Sequence, residues 1–131
     1  MRTDLRRDAE RGSAPAEFIL VGVMLTALTL GVLQLGFAVY ARGVVQDAAV
    51  EAAFHAALAD TSNAEAEHRA RDVVERALGS DIVGWAMFSR SRVDGVDMVR
   101  VDLSARLPLV GLLGVPSGTV VTAHAPVERF G

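Results

Sequence analysis

Residues 18–41 read FILVGVMLTALTLGVLQLGFAVYA. The stretch holds no ionisable group except Tyr40. Its polar side chains are Thr26, Thr29 and Gln34, and they do not form one face. A core helix of a soluble protein, at this length, would show a polar stripe. At 1.5 Å per residue the stretch would reach about 36 Å, enough to cross a hydrocarbon core of about 30 Å with some tilt. The reading is a membrane-spanning helix. Tyr40 and Arg42 then fall at the far interface, a favoured place for an aromatic ring and a snorkelling cation. Arg2, Arg6, Arg7 and Arg11 precede the span, and Arg42 alone follows it closely. That bias places the N-terminus in the cytoplasm and the remaining chain outside.

The composition agrees with one anchor plus one small domain. The chain has 131 residues, of which 51% are hydrophobic, and the apolar excess is concentrated in the span. Net charge is −3, with no basic tract beyond the N-terminus, so the electrostatic footprint of a nucleic-acid binder is missing. Cysteine is absent, which excludes a disulfide framework and thiolate chemistry. The three histidines, His55, His68 and His124, form no metal-binding pair. His68 and Asp72 stand four apart and read as a surface ion pair. No nucleophile motif, phosphate-binding loop or dinucleotide glycine pattern is present, so neither an enzyme nor a cofactor is expected.

Downstream, residues 42–60 (RGVVQDAAVEAAFHAALAD) continue the helix into water. Asp47, Glu51 and His55 stack at four-residue spacing as a polar stripe. Val44, Val45, Ala48, Ala49, Ala52 and Ala56 make the opposite, apolar face. Gly43 is the point where a bend would be tolerated. A helix continuous from Pro15 to Ala59 would be about 68 Å long. An amphipathic outer half expects something to pack on it.

The rest of the chain supplies that cover. In TSNAEAEHRARDVVERALGS, residues 61–80, Ser62 and Glu65 fit a capping box, with Asn63 a competing cap, and Gly79 fits a C-terminal stop. Ala66, Ala70, Val73, Val74 and Ala77 repeat at helical spacing. The period then changes to two. Val99, Val101, Leu103, Ala105 and Leu107 alternate with Arg100, Asp102, Ser104 and Arg106, as in a half-buried strand. Asp94-Gly95 is a hairpin signal, which makes residues 82–90 the partner strand and puts Ser89 to Arg92 at a strand end or turn. Residues 118–127 alternate more weakly and make a third strand, with Pro126 marking an edge or an end. The fold class is α+β: a long N-terminal transmembrane helix entering a small domain with a second helix and a three-stranded antiparallel sheet. Between the second and third strands, residues 108–118 form an apolar loop, either buried as a plug or exposed as a contact patch.

Upstream, residues 1–12 (MRTDLRRDAERG) are short and charge-rich and cannot bury a core. Glu17 stands at the mouth of the span, where a carboxylate is costly unless paired. RGSAPAEF, residues 11–18, followed at once by an apolar helix, resembles the processing site of type IV pilins of the tight-adherence branch. The wider pattern over residues 11–58, with Arg-Gly, small residues, Glu-Phe, an apolar span, an aromatic–Ala–Arg junction and an alanine-rich continuation, resembles the TadE-like pseudopilins.

The resemblance implies a leader at residues 1–12, cut between Gly12 and Ser13 by a prepilin peptidase. It implies a long helix over 13–60 with its span at 18–41, and an extracytoplasmic domain over 61–131. Glu17, fifth in the mature chain and followed by Phe18, would pair with the new α-amino group of its own or a neighbouring chain and set the register of assembly. Other pilins and pseudopilins, an inner-membrane pilus assembly platform and the lipid bilayer are the implied partners. The implied place is the cytoplasmic membrane, with possible incorporation into a surface pilus as component or primer. Ala27 and Gly31, four apart, would let a second helix approach closely. Two other readings use fewer of these residues. An uncleaved single-span protein with a partner-binding outer domain needs neither Gly12 nor Glu17. A secreted domain would be cut near Val39-Tyr40-Ala41, although the apolar run is longer than a signal core.

Overall fold

The structure is a computed structural model that describes residues 2–58, 60–106 and 118–127. Its elements are helix α1 (Arg2–Ala57), helix α2 (Asn63–Leu78) and strands β1 (Val83–Val93), β2 (Val96–Arg106) and β3 (Gly118–Pro126). The α+β class expected from the sequence is what the chain forms. It divides into two compact units, Met1–Gly36 and Phe37–Gly131.

The first unit is helical from Arg2 onward. Helix was expected to begin near Pro15, in a first turn. Instead Pro15 lies inside α1, because the residues before it are themselves helical. The side chains from Ser13 to Gly36 are all exposed.

The second unit contains the core. α1 passes through Gly43 without interruption, and a Cβ placed on Gly43 would meet nothing within 4 Å. The apolar face read from the sequence is buried except for Val44, which is half-buried, and Ala41, Ala53 and Ala57 are added to it. Except for Val45, the buried side chains of α1 are alanines. Bulk comes from the sheet, where Val99, Val101 and Leu103 are fully or nearly fully buried. Small residues on the helix and large ones on the sheet fill one interlayer space at close-packed density.

The sheet is antiparallel in the order β1-β2-β3. Val93 pairs with Val96 across Asp94-Gly95. Both turn residues have positive φ, 50° and 82°, as a type I′ hairpin requires, and glycine is the residue that accepts this most readily. β1 extends to Val93, so of the two places open to Ser89 to Arg92 they occupy the strand end and not the turn. A two-residue turn lets pairing start at once, so the ladder continues to its edge. On β3, Val121, Ala123 and Ala125 face the same core as Val101 and Val99.

α2 starts with the expected capping box. The Glu65 N–H donates to Ser62 Oγ at 3.3 Å, and the Ser62 N–H donates to Glu65 Oε2 at 2.8 Å. At the other end the Gly79 N–H donates to Glu75 O at 2.8 Å. Ala66, Ala70 and Val74 are buried. Ala77, expected on that face, is exposed. The buried stripe advances by four residues each time and ends on Leu78, which packs against the core. Residues 107–117, which hold Leu107 and nearly all of the apolar loop, lie outside the described residues.

Candidate processing site and membrane-spanning helix

α1 carries every residue that the sequence singled out. Gly12 and Ser13 are in its helical backbone. Ser13, Glu17 and Phe18 are exposed, with Phe18 at 80%. Glu17 and Phe18 therefore project from the helix with no core to receive them. Ala27 and Gly31 lie on one helical face, four apart. A Cβ on Gly31 would meet nothing within 4 Å, so this surface is open to a second backbone.

The polar groups inside the apolar run are consistent with lipid. Thr26 Oγ1 donates to Gly22 O and Thr29 Oγ1 to Leu25 O, each at 2.8 Å. Each hydroxyl is satisfied by the carbonyl one turn back. In hydrocarbon, where no water can pair with them, that closure removes a cost of several kcal/mol per group. The stretch Ser13–Ala57 is long and apolar enough to cross a membrane, and none of its most apolar window is buried in the protein. In water such a surface would far exceed the apolar patches tolerated by soluble monomers. One N-terminal apolar helix followed by a C-terminal domain fits a single-pass membrane protein.

Residues 12–53 match the family described as TadE-like protein. The similarity covers about a third of the chain, and over this segment the chain resembles that family. The match begins at Gly12, includes Ser13, Glu17, Phe18, Ala27 and Gly31, and ends in the alanine-rich part of α1. It supports a minor-pilin-like role associated with a tight-adherence pilus. No curated protein and no solved structure matches the chain.

Polar side chains also tie the second unit together. Arg71 on α2 donates to Glu67 Oε1 at 2.8 Å, to Asp81 Oδ2 at 3.0 Å and to Val83 O at 2.9 Å. The hydrogen bond to Glu67 leads the effects that raise the Arg71 pKa. Arg69 Nε lies 3.2 Å from Glu51 Oε1 and links α2 to α1. His68 Nδ1 is 3.3 Å from Asp72 Oδ2, the surface pair expected from their spacing. On β2, Asp102 accepts from Thr122 Oγ1 at 2.5 Å and from Arg100 Nε at 3.0 Å. These two contacts, Thr122 first, hold the Asp102 carboxyl below its usual range. Gln46 Nε2 donates to Thr122 O at 3.3 Å, from α1 to the outer edge of β3. Among the described residues no cluster of His, Cys, Asp and Glu is placed to hold a metal ion.

Sequence reasoning missed the irregularity in β1. The register shifts between Val83 and Ala86, so Gly84 and Trp85 bulge opposite Ser104. The Trp85 N–H donates to Ser104 Oγ at 2.9 Å. A Cβ on Gly84 would lie 2.8 Å from that same oxygen. Glycine inside a strand pattern is the available signal for such a bulge. Glu67 and Arg71 stand four apart on α2, a pairing that spacing alone announces, but nothing local announces the contacts of Arg71 with Asp81 and the Val83 carbonyl, which form only when α2 packs beside β1.

Proposed function

We propose that this chain is a pseudopilin or minor pilin, inserted with its N-terminus inside, cut by a prepilin peptidase between Gly12 and Ser13, and used in the assembly or priming of a tight-adherence type pilus or related apparatus. The observation that carries the reading is an exposed apolar helix whose TadE-like match begins at the proposed cleavage glycine. The role is structural, and the chain is the substrate of a peptidase rather than a catalyst.

Pro15 supports the cut. Inside a continuous helix a proline leaves the carbonyl one turn back without its donor and costs about 3 kcal/mol. Removal of residues 1–12 makes Pro15 the third residue of the mature chain. There its missing N–H carries no penalty, because first-turn N–H groups have no helical partner. Cleavage also creates an α-amino group one turn from Glu17. An amine and a carboxylate brought together at a lipid interface neutralise each other, and a neighbour-to-neighbour pairing would set axial register. Phe18 would enter the apolar surface shared by adjacent helices. The smooth surface at Ala27 and Gly31 would admit a second helix. Other pilins, the inner-membrane assembly platform and the bilayer are the partners of this reading.

Intact mass and N-terminal sequencing of the protein from its native membrane test it. A chain starting at Ser13 is expected, and Gly12→Val should leave a precursor heavier by the leader. Glu17→Ala should still be processed but should fail to co-assemble with other pilins. A start at Met1 with the peptidase present makes the chain an uncleaved anchor. A start at Arg42 makes it a secreted domain.

A further inference from the structure

Among the described residues the sheet has an open edge along β1. The two-residue turn makes Val93–Val96 a hydrogen-bonded pair, and such pairs alternate with non-bonded ones along an antiparallel ladder. Arg92–Asp97, Arg90–Val99, Phe88–Val101 and Ala86–Leu103 are then the non-bonded pairs. The N–H and C=O groups of Ala86, Phe88, Arg90 and Arg92 therefore point away from β2. The same alternation directs Thr122 O and Val83 O outward, and there Gln46 and Arg71 meet them. At Ala86, Phe88, Arg90 and Arg92 no hydrogen bond from the described residues reaches the outward groups. β1 holds no proline and no carboxylate. An edge in this state is a template for another strand.

The side chains along the edge select what would pair there. Arg92 is matched by Asp97 at 2.8 Å. Arg90 is exposed and has no ion-pair partner among the described residues. Arg90, Ser91, Arg92, Asp97 and Val127 line an open concavity of about 370 Å³ beside this end of the strand. Toward the other end, Met87 is 59% exposed, and Phe88 is half-buried on the core side.

We propose that the free edge of β1 receives an extended segment of another protein chain that carries carboxylates on alternate residues, placed beside Arg90 and Arg92. Backbone pairing at four residues would supply affinity, and the alternate carboxylates would supply selectivity. A second copy fits less well, because β1 offers two guanidinium groups and no acid to meet them. Arg90 as a charge that merely keeps the edge unpaired is the opposing outcome of the test.

The probe is a peptide of about eight residues alternating Thr and Glu, with a Thr–Lys peptide of the same length as its counterpart. Hydrogen exchange is followed residue by residue on the full chain in detergent micelles. At a peptide concentration ten times half-saturation, the amides of Ala86, Phe88, Arg90 and Arg92 should exchange about tenfold more slowly. The Thr–Lys peptide should leave them unchanged. Arg90→Glu should exchange the two preferences while the amides of β2 keep their protection, which shows that the hairpin remains folded. No slowing with the Thr–Glu peptide, or equal slowing with both, overturns the proposal. Slowing without peptide that grows with protein concentration also overturns it, by making a second copy the occupant.

Discussion

Leu103→Ala tests the account of the second unit most directly. Leu103 is fully buried on the middle strand. Its neighbours across the ladder are Ala86 and Val121, and the helix face above carries mostly alanine. The substitution removes three carbons, worth about 2.4 kcal/mol in transfer alone at about 0.8 kcal/mol each. Alanine and valine neighbours have no spare length to swing into the space, so a cavity remains and the cost rises to about 3–4 kcal/mol. For a unit of this size Tm should fall by roughly 12 °C or more. The measurement is urea and thermal unfolding of the full chain in detergent micelles, followed by Trp85 fluorescence and the β-sheet circular dichroism. Leu33→Ala is the control. Leu33 is 64% exposed in the first unit, so the same chemical change there should leave the transition of the second unit in place. A cost below about 1 kcal/mol for Leu103→Ala would refute the packing described here. Equal effects at the two leucines would refute the division between a lipid-facing and a core-facing apolar surface.

Two further perturbations address the sheet. Gly84→Ala drives a Cβ toward Ser104 Oγ and should destabilise by about 1–3 kcal/mol. In the Ser104→Ala background that cost should shrink, and a double-mutant cycle in urea checks it; additive effects would place the bulge elsewhere. Asp102 gives a pH dependence of known sign. Its folded carboxyl is held down by Thr122 and Arg100, with a smaller effect from His124. Stability from this group is therefore complete above the unfolded value near pH 4 and is lost as pH falls through the lower folded value. Asp102→Asn should be less stable than the parent at about pH 7, and the gap should close at about pH 2. A gap of constant size in the urea midpoints would show that the ionised carboxylate contributes nothing.

Several features were legible locally because their causes are local. Ser62 and Glu65 satisfy each other three residues apart, and Asp94-Gly95 sets its own backbone, so each could be read without knowing the fold. The span was legible because a run of apolar side chains has no partner in its own sequence. Other readings needed neighbours. Ala77 and Leu78 are both apolar residues at the end of α2, and only the position of the sheet decides that Leu78 turns in and Ala77 out. For Ser89 to Arg92 composition left a strand end and a turn both open, and pairing with Asp97 to Arg100 makes them ladder residues at the strand end.

The order of physical causes explains the division. Periodicity, capping chemistry and turn stereochemistry act within a few residues, so the chain of amino acids alone dictated a long apolar helix, a capped second helix and a hairpin. Burial, by contrast, depends on what arrives from far along the chain. Leu33 lies in an almost unbroken apolar run and Leu103 in a strand pattern that alternates with charged and polar residues. Packing made one a core residue and left the other for lipid. Packing likewise brought Arg71 to the Val83 carbonyl, set Gly84 against Ser104, and left Ala86 to Arg92 without a second partner strand among the described residues, because contacts between distant segments exist only once the layers have come together.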